Sequence, residues 1–143
     1  KIEQNLKLFN KLKNWEKWIT TTVSAYNVCT VDKLIVWFAD YIKKHNMPDL
    51  KWQCWPLTIP ELMVPEQIPY TVRQNFLTNI SCLKGKYDST TDKFIDTVIA
   101  SLNSTYQPTI ESQKEFADYT KMLDISRKQS FIKTFPHLDG VFS

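Results

Sequence analysis

The chain has 143 residues, is 43% hydrophobic and 13% aromatic, and carries five Trp. That is enough apolar chain for one domain with a real core, and it excludes a disordered segment. The formal charge is +3, from lysines spread along the chain rather than gathered into the basic stripe of a nucleic-acid binder. Lys11, Lys13 and Lys17, set among Trp15 and Trp18, read as solvated faces. No apolar run approaches the roughly 20 residues of a membrane span. No signal peptide is recognisable, so the expected setting is cytoplasmic, with no membrane partner. The first residue is Lys1 rather than Met, and the expectation is a piece of something longer.

In chain order, residues 3–14 predict a helix with Leu6, Phe9 and Leu12 at three-residue spacing. Residues Trp18 to Tyr26 are rich in β-branched and aromatic types and predict a strand. Ile19, Val23 and Ala25 make one mostly apolar face, interrupted by Thr21. The other face is polar or amphipathic: Trp18, Thr20, Thr22, Ser24 and Tyr26. Thr30 is the expected cap of a strong helix whose stripe is Leu34, Phe38, Tyr41 and Ile42, widened by Val31, Ile35 and Trp37. Lys43, Lys44 and His45 suit the negative end of its dipole. Leu50 to Trp55 predicts a second strand, with Leu50, Trp52 and Cys54 alternating against Lys51, Gln53 and Trp55 until Pro56 ends the pairing. A loop marked by Pro60, Pro65 and Pro69 follows.

Three helices are expected after it, at about 70–83, 91–103 and 112–129. Their apolar positions are Val72, Phe76, Ile80 and Leu83; then Phe94, Ile95, Val98 and Leu102; then Phe116, Tyr119, Leu123 and Ile125. A short turn from Ser130 to Phe135 precedes Pro136. Two strands separated by a helix imply a βαβ crossover and a parallel pair. Two strands are too few for an independent parallel sheet, so further strands are expected outside this sequence, or the C-terminal helices cover the pair.

The usual catalytic signatures are missing: no G-x-S-x-G, H-E-x-x-H, Walker loop or G-x-G-x-x-G. Cys29, Cys54 and Cys82 show no C-x-x-C pairing and read as buried free thiols rather than metal ligands. Glu61 and Glu66 read as solvated loop charges, and Asp118 and Asp124 as ion-pair or capping residues. Ligands in parallel α/β architectures gather at the carboxyl ends of strands. That places Ser24, Tyr26 and Asn27 at a candidate rim, with Gln53 and Trp55 beside them; the competing reading is an edge strand whose threonines face water.

The run Ile19 to Val28, followed by Val31-Asp32-Lys33-Leu34, resembles the late barrel strand of radical SAM proteins of the SPASM/twitch type, with Ser24 and Asn27 at its Ser/Thr-x-x-Asn-like end. Trp52 to Met63, with Pro56 and Pro60 and then Ile68-Pro69, resembles the next strand and its exit segment. The tail Phe116 to Arg127, ending near Phe135-Pro136, resembles a C-terminal helix with a Tyr-Thr, Leu-Asp, Arg, Phe-Pro pattern. The resemblance implies an α/β fold: part of an open (β/α) barrel with two parallel strands over 1–69 and a helical C-terminal extension over 70–143. It implies S-adenosylmethionine and a [4Fe-4S] cluster in the parent protein. The cluster would sit on a C-x₃-C-x₂-C loop that this sequence lacks. The chain alone would then hold no cofactor and would be inactive, its partner being the rest of the barrel and its substrate an unknown small molecule or peptide. Ser24, Asn27, Gln53 and Trp55 are the expected cofactor-cavity residues. The alternative is a non-catalytic helical module whose Trp side chains form an interface. The enzyme reading rests on the hydroxyl-bearing side of Thr20 to Asn27 looking onto a cofactor chamber; hydroxyls in open water, or a helix in place of the strand, remove its basis.

Overall fold

A computed structural model describes residues 1–140. Two strands, β1 (Lys17–Val23) and β2 (Leu50–Pro56), pair in parallel. Helix α1 (Ile2–Asn10) precedes β1, and α2 (Val31–Lys44) forms the crossover between the strands. The rest is helical: α3 (Tyr70–Ser81), α4 (Ser89–Leu102), α5 (Ile110–Arg127) and the single-turn α6 (Phe131–Thr134). The expected mixed α/β class with a parallel pair is therefore present. No helix among the described residues is long and apolar enough to cross a membrane.

The register sets Lys17 opposite Leu50, Ile19 opposite Trp52 and Thr22 opposite Trp55. Alternation sends Ile19, Thr21 and Val23 to one face with Leu50, Trp52 and Cys54. That face is the covered one. Trp52 stacks against Phe38 of α2 at 4.5 Å and Phe94 of α4 at 3.9 Å between ring centroids. Thr21 interrupts the apolar face for a reason: its Oγ1 accepts the Trp52 indole N–H at 2.7 Å, satisfying a donor buried among apolar groups. The core continues from Leu6 through Ile35, Phe94, Val98 and Phe116 to Leu138, so strands and C-terminal helices share one apolar interior.

Several boundaries differ from expectation, each for a local reason. Helix α1 stops at Asn10 rather than continuing to Asn14. Asn14 takes a left-handed backbone (φ 64°), and Leu12 stays exposed. Strand β1 ends at Val23, so Ser24 and Tyr26 are not strand residues; Ala25 to Asn27 form a turn. Thr30 occupies the N-cap of α2 without capping it, because its hydroxyl donates to the Asn27 carbonyl. Helix α4 starts two residues early because Asp88 accepts from the Thr90 and Thr91 amides. Helix α5 ends where Lys128 turns left-handed. Ile125 is exposed, since α5 buries only Phe116 and Thr120. Cys82 is exposed rather than buried. Lys17 is the sharpest correction: expected on a solvated face, it is 5% exposed, because alternation from Val23 turns it towards the helix-covered side.

Arg73 of α3 is fully buried and ties the helical part together. Its Nε donates to the Ile68 carbonyl, Nη1 to those of Ser101, Leu102 and Ser104, and Nη2 to that of Tyr106. One guanidinium thus serves the unsatisfied C-terminal carbonyls of α4 and the chain leaving it.

Candidate functional site

The carboxyl ends of β1 and β2 are built from three segments. Asn27 closes the end of β1: its Oδ1 accepts from the Ser24 amide and its Nδ2 donates to the Thr22 carbonyl, both at 2.9 Å. The segment after β2 then folds back over the strand ends. Leu57 N–H donates to the Val23 carbonyl at 2.7 Å, and Ala25 N–H to the Met63 carbonyl at 2.9 Å. The C-terminal unit docks on Tyr26, whose ring meets Phe116 and Phe131 at 5.3 and 5.5 Å and whose hydroxyl lies 3.2 Å from Thr120 Oγ1. Burial raises the Tyr26 phenol above its ordinary range, and the Thr120 hydrogen bond opposes that only in part. Asp124 completes the corner by accepting the amide of Phe131, the first residue of α6, at 2.8 Å, alongside the Ser130 N-cap.

Ser24, Asn27 and Trp55 therefore lie towards the carboxyl end of the sheet, whereas Gln53 pairs with Thr20 at its middle, and the four have different roles. Asn27 commits both amide atoms to backbone and acts as a turn-positioning residue. Ser24 is buried under that turn. Gln53 and Trp55 lie on the face of β2 turned away from α2 and α4, opposite Thr20 and Thr22. Trp55 is 56% exposed, Trp18 at the far end is 46% exposed, and Thr20 and Thr22 are exposed as well. The hydroxyl side of β1 thus meets solvent in this chain. That is the outcome expected of a solvated edge strand and it counts against a cofactor chamber within this chain; only staves supplied by the rest of a parent protein would restore one. Lys51 spans the lower part of the face, pairing with Glu16 and lying 5.1 Å over the Trp18 ring. That pairing holds the Glu16 carboxyl below its usual range.

Two cavities flank the strand ends. One of about 380 Å³ lies between Tyr26, Met63, Thr120, Leu123 and Arg127. The other, about 470 Å³, lies between Pro56, Leu57, Glu61, Gln67 and Tyr106. None of the four expected residues lines either. Gln67 was not expected as a site residue. It is 3% exposed, its Nε2 donates to the Glu61 carbonyl at 3.1 Å, and its Oε1 has no partner. Only its neighbouring prolines could have drawn attention to it.

The three cysteines do not fit an iron–sulfur cluster. They lie on a 3₁₀ turn (Val28–Thr30), on β2 and beyond α3, and burial pushes the Cys29 and Cys54 thiols up to about 12. A cluster needs thiolates held together, which is the opposite environment. For S-adenosylmethionine, Gln53 and Trp55 offer a carboxamide and an indole on the open face, while Asn27 spends one hydrogen bond of each amide atom on the backbone. No protein-family model, curated protein or solved structure matches the chain.

Proposed function

We propose that this chain is the C-terminal portion of a radical SAM protein of the SPASM/twitch type, supplying the last staves of an open (β/α) barrel and a helical cap. The observation that carries the reading is one-sided cover. Both α2 and α4 meet the parallel pair at Trp52, while on the opposite face, among the described residues, Trp18, Thr20, Thr22 and Trp55 are exposed and Gln53 is half-buried. A barrel has that construction, with helices outside and an amphipathic interior. The C-terminal motif adds support, because Tyr119, Thr120, Leu123, Asp124, Arg127 and Phe135 converge on the cavity beside Tyr26.

The cluster falls to a three-cysteine loop elsewhere in the parent, since this chain's thiols do not suit it. Bound in the parent, S-adenosylmethionine together with an electron from the cluster would supply hydrogen-abstraction chemistry. The residues here contribute the wall. Gln53 and Trp55 face the chamber, Asn27 holds the strand end in shape, and the tail closes its rim. The substrate is a small molecule or peptide. Anaerobic expression of the full-length parent should give iron, sulfide and a brown chromophore that responds to S-adenosylmethionine. A colourless, metal-free parent indifferent to that compound ends the reading.

The exposure of Thr20, Thr22, Trp18 and Trp55 also favours a second reading, a non-catalytic module binding a partner through that face. The coding sequence upstream separates the two: a three-cysteine loop there supports the enzyme, and its absence supports the module.

A further inference from the structure

At the opposite, amino end of the strands, Lys17 is buried to 5% exposure, although it is a lysine at the start of a strand. Its ammonium has three donors. Among the described residues, the one hydrogen bond it makes runs to the carbonyl of Asn10, the last residue of α1, at a long 3.4 Å. The C-terminus of that helix supplies the equivalent of about half a negative charge. That leaves donors of the ammonium without a protein partner among the described residues, directed to the part-buried space beside them. Among the described residues, no carboxylate lies within ion-pair distance of it.

Beside it opens a cavity of about 490 Å³ lined by Asn10, Lys13, Asn14, Trp15, Lys17 and Asp49, with Leu12 at its edge. Amide and ammonium donors outnumber the single carboxylate. Asn14 is held there by its left-handed backbone, and Trp15, 71% exposed, offers an open ring face at the wall.

We propose that this cavity binds an oxyanion, with the Lys17 ammonium as its anchor, Lys13 and Asn14 as further donors and Trp15 flanking the group that carries the charge. The site is separate from the carboxyl-end face and does not depend on the enzyme reading. Free phosphate and a carboxylate share the required chemistry, and the assay distinguishes them.

Inorganic phosphate is titrated into the full-length protein by equilibrium dialysis at constant ionic strength, with acetate as the competing carboxylate. Saturable phosphate binding is expected. Lys17→Met should weaken it by at least about tenfold, as loss of a buried charge partner does. Lys13→Gln, at an exposed position that does not endanger folding, should weaken it about threefold, and Asp49→Asn should tighten it about threefold. Displacement by acetate at comparable concentration assigns the site to carboxylates, and resistance to acetate assigns it to phosphates. Absence of saturable binding of either anion overturns the proposal, as does binding unchanged in both lysine variants. If Lys17→Met does not fold, the Lys13→Gln and Asp49→Asn shifts decide alone: opposite in sign, they support the site; both absent, they overturn it.

Discussion

Arg73 is a buried cation with, among the described residues, no carboxylate within ion-pair distance; it is stabilised by five carbonyl oxygens and lies 5.5 Å over the Tyr70 ring. Burial lowers its pKa from the usual arginine value, but a guanidinium does not lose its proton under ordinary conditions. Its removal therefore strands acceptors rather than a charge. Arg73→Met should cost about 3 kcal/mol in urea unfolding, and Arg73→Lys should recover less than half, because an ammonium cannot reach the same fork of carbonyls. Nothing in the sequence marked this residue; a single arginine in Val72-Arg73-Gln74 looks like surface. Cys29 offers a test in pH. Its folded thiol, pushed up to about 12 from an ordinary value of about 9, stays neutral where the unfolded thiol ionises. The stability this contributes is complete below the unfolded value and is lost as pH rises through the window towards the folded one. At pH 10 the loss should be on the order of 1 kcal/mol relative to Cys29→Ala, measured by urea unfolding of both proteins at pH 8 and 10.

Adjacent threonines of β1 behave as different residues. Thr21 answers the buried Trp52 indole, while Thr20 faces solvent. Thr21→Val should cost about 1–3 kcal/mol by leaving that N–H unpaired, and Thr20→Val should stay within about 0.5 kcal/mol. Equal effects in thermal unfolding would contradict the assigned faces. Asn27→Ala should cost about 1–2 kcal/mol, because two backbone groups at the strand end lose their partner. Much of this level was legible. Phe94, Ile95, Val98 and Leu102 are all buried, as helical spacing requires, and alternation in Leu50 to Trp55 separated Gln53 and Trp55 from Trp52 correctly. The end of β1 was not legible. Val23, Ser24 and Ala25 continue a strand-like composition, and only the fold-back of Asn27 onto Thr22 shows that pairing stops. The same contact gives Asn27 a structural role at the strand end, which a pattern of residue types cannot reveal. Lys17 was misread because alternation was followed from Trp18 onward and not one residue back.

For the whole molecule, the testable consequence of the barrel reading is that the open face is covered in the parent. Acrylamide should quench Trp18 and Trp55 readily in this chain and substantially less in the full-length protein. Phe-substituted variants at those two positions assign the signal, and equal quenching in both proteins would favour a solvent-facing sheet. The helical tail is part of the same body, because Tyr26, Phe116, Phe131 and Phe135 form one aromatic cluster. Phe131→Ala should cost about 3 kcal/mol and expose the α5–α6 corner to limited proteolysis.

A sheet of only two strands leaves each with one unbonded margin. For β1 that margin belongs to Ile19-Thr20-Thr21-Thr22-Val23, a run without charge or proline. Such a run templates its own kind. Handled in isolation at high concentration, the polypeptide should associate strand to strand. A lysine placed at Thr20, on the side where no neighbour is displaced, is the least disruptive way to keep it dispersed.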